Sequence, residues 1–291
     1  MLQTLADGLL IGGIYAVIAL GLTLIFGVMR VINMAHGEFV MIGMFVSYLL
    51  FSKLGVDPFV SILITVPACF VIGFFLYRLF VEKALRASEE NTLLLTAGTS
   101  IFIANLMALP AFIGPKFLRL SSENLYWANK VWYVGGISLN AAMAAGFLVT
   151  GVIIFVLHLL LMKTDTGFAI RASAQDPTAA TIMGVNVPFI SGITFGLGAA
   201  FAGVAGNILS ANYPIYAAIG TLFVVKAFVI VVLGGMGSIP GAAVGGLILG
   251  VTESFGSAYV PHGTGFRDVF GLVIFLLVLL FRPQGLFGKG H

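Results

Sequence analysis

The chain has 291 residues, of which 60% are apolar, a further 37 are glycine and only 9% are charged. A soluble globular chain carries roughly 25% charged residues, so this composition excludes a water-soluble enzyme, a nucleic-acid-binding protein and a secreted disulfide scaffold. The mean hydropathy of +1.12 and the long uncharged runs predict an all-α, polytopic integral membrane protein in contact with lipid. A net charge of +3 is too small to indicate a basic patch.

Nine apolar segments are candidates for membrane-spanning or re-entrant helices, because a bilayer core of ~30 Å needs ~20 helical residues. They are 8–29, 37–52, 58–81, 92–113, 137–162, 188–210, 216–233, 240–256 and 267–281. Three of them are short, so we expect about nine spans within a range of eight to ten, and either 37–52 or 240–256 could be a half-helix. No Lys or Arg precedes Arg30, and the first run is too long for a signal peptide, so we interpret it as a retained span.

The distribution of Lys and Arg favours one orientation. With nine spans and the N-terminus outside, eight Lys or Arg residues lie near span ends on the inner side and five on the outer side. Because cytoplasmic loops are enriched in these residues, this modest bias favours a periplasmic N-terminus and a cytoplasmic C-terminus without deciding it. The segment 114–136, which is polar with interleaved aromatic residues, then lies along the outer interface.

The polar loop 163–187 lies on the inner side in that topology and has the sequence signals of a short helix. Asp176 can cap its start, Pro177 fits the first helical position, and Gly184 suits the residue just past its end. We therefore predict a helix at 177–183, in which two adjacent alanines leave a slim face for docking. An ordinary connector is the alternative, although a connector rarely needs a capped helix.

The first and seventh apolar runs share a pattern of a span, a break and a glycine-rich helix. VMRVINMAHGEF passes into MIGMFVSYLL, and VVLGGMGSIPG passes into AAVGGLILGV. Duplicated halves with broken helices recur in transporters, where the breaks tend to lie at the substrate site. Duplicated halves and chance similarity are both compatible with stretches this short.

Two charged residues lie inside apolar runs, where charge is costly and therefore indicates function. From a rise of 1.5 Å per residue, Lys226 lies ~15 Å and Glu253 ~10 Å below the outer surface, on helices adjacent in sequence. We predict an ion pair between them. The alternative is that Lys226 extends to the outer interface and Glu253 faces water separately.

Polar groups at the two breaks are candidates to line a path through the membrane. For the NMAHGE cluster the alternative is an inner interfacial loop, and for most of the glycines it is close helix packing. The candidate path residues are Asn33, His36, Gly37, Glu38, Lys226, Gly235, Gly237, Ser238 and Glu253.

The sequence contains no zinc H-E-x-x-H motif, no G-x-S-x-G elbow and no P-loop, so we predict that it is not an enzyme. The four histidines lack ligand spacing and Cys69 is the single cysteine, which predicts no metal site, no cofactor and no disulfide. Energy for uphill transport must then come from a partner or from an ion gradient. An ion-coupled secondary transporter that uses Lys226, Glu38 and Glu253 is the alternative function.

Four motifs follow one another along nearly the whole chain: ALGLTLIFGVMRVINMAHGEFVMIG, TGFAIRASAQDPTAATIMGVNV, VVLGGMGSIPGAAVGGLILG and the ending RPQGLFG. Together they resemble the permease subunits of branched-chain amino acid ABC transporters, and in particular the shorter of the two permease types. The resemblance implies one transmembrane permease domain over 1–291 in a bacterial inner membrane. It also implies that 163–187 is a cytoplasmic coupling loop and that 114–136 is periplasmic.

In importers of this family, two permease subunits, usually different, form the path. Two cytoplasmic ATPase subunits drive transport, and a periplasmic binding protein delivers the substrate. The resemblance implies that the loop inserts a coupling helix into a groove of the ATPase through Gly167, Arg171, Ala172, Asp176, Pro177, Ala179, Ala180 and Gly184. Arg171 is the expected charged contact, with anchoring to lipid headgroups as the alternative. Branched-chain and other amino acids, urea and short amides, and small organic acids all stay open as substrates.

Overall fold

The computed structural model of the protein describes residues 1–120 and 130–288 and is built mainly from helices. In these residues the helices are α1 (Leu2–Met29), α2 (His36–Leu54), α3 (Pro58–Leu76), α4 (Glu82–Ala87), α5 (Glu89–Met107), α6 (Ala141–Lys163), α7 (Asp165–Gln175), α8 (Pro177–Ile182), α9 (Val187–Ser210), α10 (Ile219–Gly234), α11 (Ile239–Tyr259) and α12 (Arg267–Phe281). A π-helical turn, Tyr77–Val81, joins α3 to α4. The middle of the predicted outer loop, 121–129, lies outside the described residues.

Six stretches of the described chain are helical, long and apolar enough to cross a membrane. They are α1, α2, the continuous stretch Pro58–Ala87, α6, α9 and α11, whereas α10 is apolar but shorter. Outward-facing side chains such as Leu63 and Leu94 are 77% and 70% exposed, as contact with lipid requires. The chain is therefore a polytopic helical membrane protein, as the composition predicts.

Each of the nine apolar segments contains a helix, but the structure corrects the end of one segment and the start of another. The segment 92–113 is helical only to Met107. The segment 137–162 begins with a strand, because β1 (Val131–Val134) and β2 (Ile137–Asn140) form an antiparallel hairpin. Gly135 and Gly136 both have positive φ, 58° and 83°, as the two central residues of a type I′ hairpin turn require.

Helix α1 lies at the centre of the bundle, where neighbouring backbones approach it closely. From Ile14 to Leu24 its apolar side chains are almost wholly buried, and α6, α9, α10 and α11 all pack on it. A Cβ atom added at Gly250 of α11 would lie 2.4 Å from the Cα of Gly12. These glycines therefore permit close helix packing, which confirms the packing interpretation of the late glycine-rich motif.

Helix α2 begins beside the middle of α1. α1 ends at Arg30, which adopts the left-handed conformation with φ 56°, and the chain then turns back beside α1. At the first residue of α2, the His36 Nε2 atom lies 2.9 Å from the carbonyl oxygen of Ile18, in the middle of α1. Of the two segments that could be half-helices, the one that forms α2 therefore begins inside the bundle. The other forms α11, which follows α10 after a tight turn.

Candidate functional site

The ion pair predicted between Lys226 and Glu253 is present. Lys226 Nζ on α10 donates to the Glu253 carboxylate on α11, and the two side chains are only 8% and 1% exposed. The same ammonium also donates to Asp268 Oδ1 of α12, at 2.6 Å. Matched depths on adjacent helices were sufficient to predict the first of these contacts.

Three further residues, Tyr15, Arg267 and Asp268, complete the site, and the sequence interpretation missed all three. Arg267 Nε and the Tyr15 hydroxyl each donate to Glu253 Oε2 at 3.1 Å. The Lys226 ammonium also lies 5.0 Å from the centre of the Tyr15 ring, within cation–π range. The only sequence signal was the Arg267–Asp268 pair at the start of the last apolar segment. We call Tyr15, Lys226, Glu253, Arg267 and Asp268 the charge cluster; it contains two cations and two carboxylates.

Two cavities border the charge cluster. One, of about 340 Å³, lies between α10, α11 and α12 and reaches Lys226, Glu253 and Asp268. The other, of about 460 Å³, lies between α1, α11 and the start of α12, and its polar lining includes Asp7 and Arg267. The buried charges therefore lie close to space that a small solute can occupy.

The polar residues of the NMAHGE cluster are buried and have different hydrogen-bond partners, one within the cluster and two on other helices. Asn33 Oδ1 accepts from the backbone N–H of Ala35 at 3.1 Å, and His36 contacts α1 as described above. Glu38 Oε1 accepts from Ser100 Oγ of α5 at 2.9 Å. The cluster is thus not an exposed interfacial loop, because all three side chains are at most 1% exposed.

Glu38, like Asn33 and His36, has one hydrogen-bonded polar atom and one without a partner in residues 1–120 and 130–288. Within the described residues its second oxygen, Oε2, has no hydrogen-bond partner. A Cβ atom at Gly220 of α10 would lie 2.6 Å from the Glu38 carboxylate, and a Cβ at Gly37 would lie 1.9 Å from the Gly220 oxygen. Gly37 is therefore a packing glycine at the α2–α10 contact, and Glu38 fills the space beside it.

The C-terminal segment 282–288 engages part of the glycine break after α10. The N–H groups of Leu286 and Phe287 donate to the carbonyl oxygens of Leu233 and Gly234 at 2.9 and 3.0 Å, whereas Met236 and Gly237 are exposed. These carbonyls are thus already engaged.

The remaining break residues shape the turn between α10 and α11. Gly235 and Gly237 have φ values of 99° and 81°, which favour glycine. Ser238 Oγ caps α11 by accepting from the N–H of Gly241 at 3.1 Å. Each residue therefore has a local structural reason for its identity.

The capped helix predicted in the polar loop is present as α8. Asp176 Oδ1 accepts from the N–H groups of Thr178 and Ala179 at 2.9 and 3.0 Å, Pro177 is the first helical residue, and Gly184 has φ 89°. The sequence interpretation missed the preceding helix, α7. Its signal was a threonine cap, since the Thr164 hydroxyl accepts from the N–H of Gly167 at 3.0 Å.

Helix α7 packs against the end of α6. A Cβ atom at Gly167 would lie 2.0 Å from the Leu160 oxygen, so only glycine allows this approach. Arg171 Nη1 donates to the Met162 sulfur at 3.3 Å. The carbonyl oxygen of Ala172 accepts from the N–H of Asp176, the residue that caps α8, at 3.0 Å. These residues hold the loop together within the chain.

The alanine face of α8 differs from the prediction. Ala179 is exposed, but Ala180 is only 5% exposed because it points into the chain's own core. The outward-facing apolar side chains of the loop are instead Phe168, Ile182 and Met183, which are 65%, 80% and 83% exposed. A partner protein would therefore meet these three side chains.

Comparison with known proteins identifies the chain's relatives. Residues 4–281 match the family described as branched-chain amino acid transport system / permease component. The permease protein BraD of Pseudomonas aeruginosa is 35% identical, over 99% of this chain and 96% of the relative. LivH of Escherichia coli K12 is 34% identical with the same coverage, and LivM of that strain is 26% identical over 94% of this chain and 67% of its own length. All three are named high-affinity branched-chain amino acid transport system permease proteins.

No solved structure matches the sequence. The family match covers nearly every residue, and BraD and LivH align along almost their whole length. The chain therefore belongs to the family of permease components of branched-chain amino acid transport systems.

Proposed function

We propose that the chain is one permease subunit of an ABC importer that carries branched-chain amino acids across a bacterial inner membrane. The single observation that carries this proposal is the full-length family match over residues 4–281. A nine-span topology follows if α5, α10 and α12 also cross the bilayer among neighbouring helices. The end of the bundle that holds Arg30, α7, α8 and the C-terminal segment is then cytoplasmic.

The loop 163–187 is the proposed coupling element to the ATPase. It is polar overall, yet Phe168, Ile182 and Met183 point outward from it. Large apolar side chains gathered on a water-facing loop indicate a protein contact, because their exposure to water is unfavourable. The charged contact proposed for Arg171 is secondary, since its guanidinium already rests on Met162.

A second permease, two ATPases and a periplasmic binding protein are the proposed partners. E. coli K12 has two different relatives of this chain, LivH and LivM, both named as permease proteins of a high-affinity branched-chain amino acid transport system. This supports a partner permease of different sequence. The loop 114–136 would be periplasmic, on the side from which the binding protein delivers its substrate.

The proposed path runs beside the charge cluster and the start of α2. Lys226, Glu253 and Glu38 are buried charged residues in helices of a membrane protein, and such residues are costly unless function requires them. Asn33 and His36 lie at the same break as Glu38. By contrast, Gly235, Gly237 and Ser238 form a turn whose first residue, Gly235, packs against the C-terminal segment, so we assign them to the border of the path.

Reconstitution tests the function directly. Proteoliposomes that hold this chain, its partner permease and the ATPases should accumulate leucine when ATP and the binding protein are supplied. The chain alone should not. Uphill uptake by the chain alone, driven by a sodium or proton gradient, would instead establish the secondary-transporter alternative.

Crosslinking tests the coupling loop. The one native cysteine, Cys69, is fully buried, so an introduced thiol is the reactive one. Met183→Cys should crosslink to the ATPase. Leu54→Cys is the matched control, because Leu54 is 70% exposed at the far end of α2. Equal crosslinking of both variants, or of neither, would show that this loop is not the coupling element.

A further inference from the structure

The cavity of about 340 Å³ beside the charge cluster has the character of a ligand pocket. Such pockets are typically ~300–1,000 Å³, mostly apolar, and carry a few polar groups that fix orientation. Its walls are aliphatic side chains from three helices: Leu222, Val225, Val229, Leu249 and Leu272. The walls therefore suit a small branched hydrocarbon group.

The charged edge of the cavity has a fixed part and an accessible part. Glu253 accepts from Lys226, Arg267 and Tyr15 and is only 1% exposed, so its carboxylate is held in place. Asp268 has a side chain that is 56% exposed, and in the part of the chain that the structure describes it pairs with Lys226 alone. The Lys226–Asp268 pair is thus the contact that an incoming solute can open.

A zwitterion can insert between Lys226 and Asp268 and pair with both without adding net charge to the site. Its carboxylate would bind the Lys226 ammonium, and its own ammonium would bind the Asp268 carboxylate, so one ion pair becomes two. An amine or a carboxylate alone would leave one charge unpaired, which is costly at this depth. The aliphatic walls then select the side chain of the zwitterion by size.

We infer that this cavity is a binding site for an aliphatic α-amino acid, held between Lys226 and Asp268. The inference rests on the proposed function and deepens it by naming the site within the permease. Neither residue is a catalytic group. The Glu253–Arg267–Tyr15 contacts position Lys226 for this role.

Thiol protection in the reconstituted importer, without binding protein, tests the site. Thr221→Cys places a thiol in the cavity lining, while Cys69 is buried and unreactive. Ala218→Cys is the matched control, because Ala218, the residue just before α10, is exposed and lies outside the lining. Leucine at ten times its dissociation constant should slow maleimide labelling of Thr221→Cys by about tenfold, since only empty sites react, and should leave Ala218→Cys unchanged.

Two leucine analogues test the zwitterion requirement. 4-Methylpentanoate lacks the ammonium group and 3-methylbutylamine lacks the carboxylate, so neither should protect Thr221→Cys. Asp268→Asn in the Thr221→Cys background should abolish the protection by leucine. If that variant fails to assemble, Leu272→Trp replaces it, with Leu276→Trp one turn further along α12 as control. Only the first of these should abolish protection.

Several results would overturn the inference. They are no labelling of Thr221→Cys at all, no effect of leucine, an equal effect on Ala218→Cys, protection by either analogue, or protection that survives Asp268→Asn or Leu272→Trp. ATP-driven leucine uptake by the unmodified importer is measured in parallel. If uptake is present but protection is absent, the site is wrong and the proposed function stands; if uptake is absent, the proposed function fails.

Discussion

Neutralising two oppositely charged residues of the charge cluster together should destabilise the protein by less than the sum of the two single neutralisations. Lys226→Met leaves a net negative charge in the cluster, and Glu253→Gln leaves a net positive one. Removing one partner of a buried pair usually costs ~3–5 kcal/mol. Here each remaining charge keeps a second partner, since Glu253 retains Arg267 and Lys226 retains Asp268. We therefore expect the lower end of this range, about 3 kcal/mol for each single substitution.

The double variant Lys226→Met/Glu253→Gln restores neutrality, because Arg267 and Asp268 remain. Its cost should fall short of the sum of the two single costs by about 1–3 kcal/mol, the usual coupling of residues in one network. Unfolding in mixed micelles can be followed through Cys69, whose fully buried thiol reacts with a maleimide only when α3 separates from its neighbours.

A pair with one exposed partner provides the control cycle. Arg86 donates to Glu82 at 2.6 Å, and the Arg86 side chain is 72% exposed; Glu82 is 11% exposed and also pairs with Arg78. Arg86→Met and Glu82→Gln should therefore couple by no more than about 0.5 kcal/mol. Costs for Lys226→Met and Glu253→Gln that add within about 0.5 kcal/mol would refute the reasoning, because independent sites add to that accuracy.

Three further predictions concern packing, coupling and the C-terminus. A Cβ atom at Gly43 would lie 2.2 Å from a backbone oxygen of α9, so Gly43→Leu should lower the amount of the protein that an immunoblot detects in membranes. Gly98→Leu is the control and should have no such effect, because a Cβ at Gly98 meets open space. Asp176→Ala removes the cap of α8, which costs about 1 kcal/mol of helix stability. The reconstituted importer should still assemble, but it should move less leucine for each ATP hydrolysed. Gly285 has φ 78°, and a Cβ there would lie 2.5 Å from a backbone nitrogen of the glycine break. Gly285→Ala should therefore expose Leu286 and Phe287 of the C-terminal segment to cleavage by chymotrypsin, whereas Gln284→Ala should not.

Features set by neighbouring residues could be predicted from the sequence. The apolar runs are helices because, in lipid, the backbone must satisfy its own hydrogen bonds. The start of α8 depends on Asp176 and Pro177, which act on amide groups two or three residues away. The Lys226–Glu253 pair could be predicted because two helices joined by a short turn lie side by side, so depth alone placed the charges together.

Features set by packing between distant segments could not be predicted. Tyr15 joins the charge cluster from α1, 238 residues before Glu253. Ala180 is buried because α8 folds back on the chain, which no local signal in PTAATI reveals. The return of the chain beside α1 likewise depends on tertiary contacts, since Arg30 gives no sequence sign that it will adopt a positive φ.

Two of the family motifs prove to be one structural unit. Gly235 and Gly285 have positive φ, and a Cβ on Gly285 would lie 2.5 Å from the Gly235 nitrogen, so the glycine break and the ending RPQGLFG each need glycine because of the other. Their contact also engages the carbonyls of Leu233 and Gly234. In the proposed topology this end is cytoplasmic, and these two carbonyls are not free to bind a passing solute. The polar side chains at the start of α2, where Glu38 keeps an unpartnered oxygen among the described residues, are then the better candidates for the cytoplasmic half of the path.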